Sequence, residues 1–473
     1  MRRFRKYAFL VFAAIYLVSC PLVLLQAFGY SLQPGTEQGI VKTGLIYLAT
    51  TPPGATVYLG RRRYTKATPT TLRGLLPGSY DLRLVLPDHR TWARTVPVEA
   101  EKSTVLDRVM LLPVDWNPQR LLPGPFQDLL PLPGTRFLLV RGGPTLADYT
   151  LYDWKAAEAK RLVSLDSPLA EARVTSLWTV PGSTSLLLRL AGPMGTRMVW
   201  IEPLADEPRL EDLTGFLPDG LRHLTWDPLD RRHLFFLEEG TLIRFHLPSK
   251  TMTPLLERVA GFGLADRTLY VLEDNHTLVQ TDLDGKERPL EEPAWPTVPW
   301  EEPLRLTPPW LERRSIEVKP FAKNLVLLLG GRGELLAPRA AVPLIERGTL
   351  GLAWDPHHQL ALAWERERLG LIDWSEPEHT PRLHWVLEGG RHITQAFWAH
   401  QGSHVVFHDA DRVRLLELEA PGVPVVHELF TVRTGSPVVY DEEAGMVFYL
   451  EPGGALCATV LLPRRDLLNF VTP

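Results

Sequence analysis

A short punctuated unit recurs between residues 126 and 463, and it leaves few folds open. Each copy sets a Pro-, Gly- or Asp-containing turn before a strongly apolar stretch, followed by an alternating one. Trp226-Asp227-Pro228 precedes Leu234-Phe235-Phe236-Leu237 and then Leu242-Ile243-Arg244-Phe245, while Trp354-Asp355-Pro356 precedes Leu360-Ala361-Leu362-Ala363 and then residues 369–374. Other copies place Leu132-Pro133-Gly134 before 137–140, Pro181-Gly182 before 186–188, and Gly263-Leu264-Ala265-Asp266 before 269–272. The rest place Lys319-Pro320-Phe321 before 325–329, Trp398-Ala399-His400 before 405–407, and Tyr440-Asp441-Glu442 before 446–449. Runs of this kind without clean alternation are strands buried on both faces. A period of about 36–55 residues is that of four-strand units set around a common axis.

The chain is therefore read as mainly β, with residues 114–473 forming a seven- or eight-bladed β-propeller. Eight copies favour eight blades; seven stays open if a terminal unit completes another by strand exchange. The last unit lacks an outer strand after Leu462, and residues 115–125 are placed to supply one. The pattern resembles WD40-like and TolB-like propellers. Without a recurring Gly-His…Trp-Asp signature, that resemblance implies architecture alone.

A smaller β-domain precedes the repeats. Residues 44–48, 56–59, 82–86, 91–98 and 104–112 read as strands, with a further apolar unit reaching Leu72 and Leu75. Pro53-Gly54 and Pro77-Gly78 preset turns, because Pro fixes φ and Gly accepts positive φ. The alternation predicts a small antiparallel sandwich or half-barrel. Pro53-Gly54-Ala55-Thr56-Val57-Tyr58, Thr68-Pro69 and Leu76-Pro77-Gly78-Ser79-Tyr80 follow one another as in the PEGA domain, which residues 44–113 resemble. Pro53 replaces the Glu of that family's motif, Leu59-Gly60 its usual Asp-Gly, and His89–Trp92 only approximates a later aromatic. The resemblance implies a non-catalytic extracytoplasmic module and carries no active site.

The N-terminus sets location. Arg2, Arg3, Arg5 and Lys6 precede the uncharged run Tyr7–Phe28, 22 residues long. A helix of that length crosses roughly 30 Å of hydrocarbon. Positive-inside bias puts residues 1–6 in the cytoplasm and the bulk outside, with 29–43 as a stalk. The expectation is a single-pass signal anchor in a cell membrane. Two alternatives remain: Leu17-Val18-Ser19-Cys20 resembles a lipobox, making Cys20 a lipidation site, and Ala27-Phe28-Gly29 loosely fits a cleavage site that releases a secreted product.

Composition narrows the partners. Setting aside the four basic residues before the apolar run leaves 47 Lys and Arg against 55 Asp and Glu, a net charge of −8. No basic block exists of the kind that binds nucleic acid, and Arg61-Arg62-Arg63 reads as a solvated turn. With only Cys20 and Cys457, the fold rests on its core rather than on disulfides.

Several groups mimic chemistry. His400, His404 and His408 have i, i+4 spacing but fall on a turn and a strand, where two such side chains stand about 13 Å apart, too far for one metal ion. His357-His358 occupies the matching turn of the preceding copy. Asp282-Leu283-Asp284-Gly285 lacks the downstream ligands of a calcium loop, Gly330-Gly331-Arg332-Gly333 lacks the Lys-Ser/Thr of a phosphate loop, and Asn275-His276-Thr277 is a chance-frequency sequon. No metal or cofactor is called for. Nor do His-Glu-x-x-His, Gly-x-Ser-x-Gly, Ser-x-x-Lys or Cys-x-x-Cys occur. The segment Glu292–Trp310 is unusual, interleaving six prolines with Trp295, Trp300 and Trp310. It reads as a packed blade connection or as an outward partner-binding loop.

The function expected is a non-enzymatic, membrane-anchored scaffold of the bacterial envelope that binds a protein or cell-wall polysaccharide through propeller faces. The alternative is an envelope propeller hydrolase or lyase acting on glycans or peptides, which requires carboxylates or His converging on one funnel.

Overall fold

The computed structural model describes residues 40–462 except 194, 205–207, 266, 275–277, 286–315, 323–324, 332, 338–343, 356–357, 374–380 and 419–423, together with 7, 9, 11–20 and 30–32. Residues 11–20 are helical, yet among the described residues no helix is long and apolar enough to cross a membrane. The span expected over Tyr7–Phe28 is not seen there as one helix, and residues 21–28 lie outside the described set. Part of the expected stalk is a short antiparallel pair, Tyr30–Leu32 with Ile40–Lys42.

The small domain is two facing sheets. One holds Thr70–Leu75, Gly44–Thr51 and Ser103–Met110 in that order; the other holds Arg62–Arg63, Thr56–Leu59, Gly78–Val85 and Trp92–Val98. Alternate residues from both, among them Ile46, Leu48, Val57, Leu82, Leu84, Trp92 and Val96, meet in a single core. The expectation of a purely antiparallel sandwich needs correction: Gly44–Thr51 pairs in parallel with Ser103–Met110. After Val98 the chain leaves one sheet and enters the other alongside its first strand, so the two run the same way.

Among the described residues eight sheets follow, each an antiparallel meander. The first seven cover 128–161, 173–212, 222–256, 259–282, 317–346, 351–388 and 393–431. The eighth is completed from upstream, where Gln119–Leu122 pairs with Leu456–Val460 beyond Met446–Leu450 and Val439–Asp441. The fourth shows three strands, with residues 286–315 outside the described set.

Neighbouring side chains of each sheet's second strand explain the lack of alternation in the sequence. Leu139 packs against the second sheet, whereas Leu138 and Val140 pack against the eighth. Phe236 joins the second and third sheets, and Phe235 the third and fourth. Further clusters link Tyr270 with Val326, Leu327 with Ala361, Leu362 with Val405, and Val406 with Val447. Each sheet is thus apolar on both faces, and the contact order is cyclic. That is the architecture of a closed β-propeller.

The Trp-Asp-Pro copies earn their recurrence physically. Trp226 packs 5.4 Å from Trp200 of the preceding blade, and Trp354 stacks 5.6 Å from Phe321 of its own predecessor. The Asp beside each caps a turn: Asp227 accepts the Leu229 and Asp230 amides at 2.9 and 3.2 Å, and Asp355 holds His358. Asp153 and Asp441 cap other turns in the same way.

Candidate functional site at the domain junction

Alternation along Trp92–Val98 points Trp92, Val96 and Val98 inward, and it places Arg94 on that same apolar side. Along Arg412–Glu417 of the seventh blade, Val413, Leu415 and Glu417 share a face in the same way. Each strand therefore carries one charge where an apolar side chain belongs, and the fold brings the two together. The Arg94 guanidinium donates to Glu417 Oε2 at 2.7 Å, and the Trp92 indole N–H donates to Oε1 at 2.8 Å. His427 Nε2 stands 3.7 Å from Oε2. Burial by itself pushes the Glu417 carboxyl up, but His427, Trp92 and Arg94 together hold it below the usual carboxylate range. Glu417 is thus a buried carboxylate kept charged by three neighbours.

Behind it, His404 pairs across the sheet with Glu417 and bonds Ser403 Oγ through Nδ1 at 2.8 Å. Burial, the dominant influence, pushes its imidazole down to about 3. A second contact joins the domains where Arg108 meets His358 Nε2 at 2.9 Å and the Gln401 carbonyl at 3.2 Å. His358 Nδ1 lies 2.5 Å from Asp355 Oδ2. Arg90 donates to the Glu428 carbonyl at 3.0 Å. Met110 and Leu112 sink into the apolar cluster between the seventh and eighth blades, and Trp116 meets Phe430 edge-on at 5.7 Å. Polar and apolar contacts thus fix one orientation of the small domain on the ring. The junction presents spent hydrogen bonds rather than a reactive group.

The sequence-selected residues fall out variously. His404 heads the strand His404–Asp409 and His408 is its penultimate residue, at the positions of Leu360 and Trp364 in Leu360–Trp364; both histidines are buried, and His408 Nδ1 is 3.0 Å from Thr394 Oγ1. Among the described residues no group of three or more His, Cys, Asp or Glu is placed to hold a metal ion. Asp282 caps its own turn by accepting the Asp284 amide, and Asp284 binds Arg244. Arg61 is exposed in a turn, but Arg62 and Arg63, read as part of that turn, are exposed on the short edge strand that follows it. Cys20 ends the described helical residues and is half-buried. Trp295, Trp300, Trp310, the Asn275 sequon, His357 and Arg332 lie outside the described residues. Sequence reading missed the Glu417 junction, although a charge on the inward face of two strands was its visible sign.

Residues 43–110 match the PEGA domain, as their turn residues indicated. No curated protein matches the chain. Among solved structures the chain is similar to the β-propeller domain of Myceliophteria thermophila Cps50 (Swd1), at 12% identity and a TM-score of 0.40, over 73% of this chain and 98% of that one. It is similar to the Dos1 propeller at 11% identity and a TM-score of 0.44, covering 74% and 95%. Kluyveromyces lactis Hsv2 overlaps at 10% identity and a TM-score of 0.37, over 65% and 98%. At these scores the overlap adds nothing to what the sheet order already shows.

Proposed function

We propose that this chain is a membrane-tethered scaffold of a bacterial envelope, in which a PEGA domain and an eight-bladed propeller act as one rigid platform for a protein partner. The supporting observation is the junction. A buried Arg94–Glu417 pair, the Trp92 indole and the Met110–Leu112 segment hold two β-modules in one orientation. A fixed platform lowers the entropy lost when a partner engages both modules. The tether rests on the basic residues before the Tyr7–Phe28 run.

The enzyme alternative draws less support. Asp212, Asp230 and Glu417, the carboxyls among the described residues whose proton affinity clearly departs from the ordinary, are all held down, whereas a general acid needs one pushed up. Several of the propeller's other carboxylates are occupied as turn caps.

Proximity labelling from the full-length chain in a bacterial envelope tests the proposal. Reproducible extracytoplasmic protein neighbours are expected, and they should fall away when Glu417→Ala loosens the platform. Labelling confined to cytoplasmic proteins, or with no reproducible neighbour, rejects the reading. Glycan-only labelling would put a polysaccharide in the partner's place and reject it equally.

A further inference from the structure

The charges of this chain are sorted by domain. Residues 44–113 hold ten Lys and Arg against five Asp and Glu, a net charge of +5, whereas residues 114–473 hold 36 against 49, a net charge of −13. Three of the ten cations are spent on the ring: Arg94 on Glu417, Arg108 on His358 and Arg90 on the Glu428 carbonyl. Lys102 is paired with Glu99 at 2.6 Å, and Arg73 stands apart in the other sheet. Arg61, Arg62, Arg63, Lys66 and Arg83 are all exposed, and none of the five has an ion-pair partner among the described residues.

Topology gathers these five on the side of the small domain away from the ring. In the four-stranded sheet, Trp92–Val98 is the edge whose Trp92 and Arg94 grip the seventh blade, and Arg62–Arg63 is the opposite edge. Three strand spacings, about 14 Å, separate the two edges. Arg63, Tyr58 and Arg83 are cross-strand partners in one row. The Arg83 guanidinium lies 5.3 Å from the Tyr58 ring, and that of Arg62 lies 5.0 Å from the Tyr64 ring. Rings that hold a guanidinium reduce the freedom it loses on donating its forked N–H groups to a phosphate. Asp81, two positions before Arg83, accepts from Thr95 Oγ1 at 2.9 Å.

The path of the chain brings this domain close to the end of the apolar run. Tyr30 pairs with Lys42, so the hairpin takes the residues between them out of the link. Phe28 is two residues before Tyr30, and Gly44, which opens the small domain, is two after Lys42. At about 3.5 Å per residue, plus about 5 Å across the strand pair, the domain begins within about 20 Å of the run's end. A bilayer holding that run would face the unpaired cations at short range, and an anionic one would repel the acidic ring.

We propose that Arg61, Arg62, Arg63, Lys66 and Arg83 form a docking surface for anionic phospholipid headgroups, which lays the basic edge of the small domain on the membrane and stands the acidic ring off it. The choice of a bilayer as occupant rests on the membrane-tethered reading. Hydrogen exchange on the full chain, with vesicles of phosphatidylcholine alone or of an equal mixture with phosphatidylglycerol, tests this. Each cation near an anionic surface contributes about fivefold in binding, so amides of Thr56–Leu59 and Arg62–Arg63 should exchange at least about tenfold more slowly in the mixed vesicles. Raising salt from about 0.1 M to about 1 M shortens the screening length from about 10 Å to about 3 Å and should remove the slowing. So should the triple variant Arg61→Gln/Arg63→Gln/Arg83→Gln, with β content checked by circular dichroism, while Arg73→Gln should keep it. If the triple variant misfolds, the lipid and salt comparisons on the unaltered chain carry the test. A chain that associates with both vesicles yet exchanges equally in them overturns the docking surface and leaves the tether standing. Association with the mixed vesicles alone, with the slowing present, rejects the tether and keeps the docking surface. Slowing by soluble polyphosphate but not by phosphatidylglycerol overturns the proposal. So does slowing in neutral vesicles that grows with protein density, since the acidic ring of a second copy would then be the occupant.

Discussion

Replacing Glu417 with Ala removes the acceptor of two charge-assisted hydrogen bonds, at 2.8 and 2.7 Å, from a side chain only 6% exposed. The loss leaves the Arg94 guanidinium, 17% exposed, without its carboxylate, and the Trp92 indole N–H without its acceptor. Bonds to charged groups are worth about 1.5–3 kcal/mol each, and removing one member of a buried pair costs about 3–5 kcal/mol. The two routes converge on about 4 kcal/mol for Glu417→Ala. Glu417→Gln keeps an acceptor without the charge, and about half that loss is expected. Because the pair joins two domains, the loss should appear as local opening of the junction. Tenfold per 1.4 kcal/mol makes the opening constant rise by more than a hundredfold. Hydrogen exchange over Trp92–Val98 and Arg412–Glu417 reads this directly, and calorimetry should show the small domain melting separately from the ring. A double-mutant cycle with Arg94→Ala isolates the pair. Coupling below about 0.5 kcal/mol, or exchange changed by less than about threefold, would refute the view that this pair holds the domains together.

Other outcomes follow from the same geometry. Because Glu417's carboxyl is held below its ordinary range in the folded chain, its contribution is present above that range and lost as pH falls through the lowered value. His404 acts at higher pH: with its imidazole at about 3 when folded against an ordinary 6.5, the unfolded chain binds the extra proton between these values. Stability should therefore drop by up to about 1.4 kcal/mol per pH unit as pH falls from 6.5 toward 3, and denaturation of His404→Asn across this window should show a flatter slope. A Cβ on Gly263 would lie 2.1 Å from the Val318 carbonyl oxygen, where the first strands of the fourth and fifth blades meet; Gly263→Ala should cost about 2 kcal/mol or more in urea denaturation, and unchanged stability would deny this close approach. Burial pushes the Cys457 thiol up to about 11, so maleimide should label it at pH 8 only after denaturation.

The legible part of the fold was the part written locally. Strand positions in the small domain and the turns of most blades followed from residues within a few positions of one another. Gln119–Leu122 as the missing strand of the last blade was also readable, because Leu456–Val460 lacked an outer neighbour after Leu462. The parallel pairing of Gly44–Thr51 with Ser103–Met110 was not readable, since alternation reports which face is buried and not which way a neighbour runs. His404 shows the same limit: its strand position was clear, yet its burial beside Glu417 depends on a cross-strand partner.

By itself the sequence determined that this is a β-chain of a PEGA domain followed by repeated four-strand units, because turn residues and side-chain periodicity act over a handful of residues. Only the tertiary structure decided that the small domain is locked onto the seventh blade, and that Trp154 and Val460 line one cleft at the junction of the eighth and first blades. Arg94 and Glu417 stand 323 positions apart, and Trp154 and Val460 come from opposite ends of the repeat. Such side-chain contacts depend on how the small domain docks and on the register in which the ring closes, which no local pattern encodes.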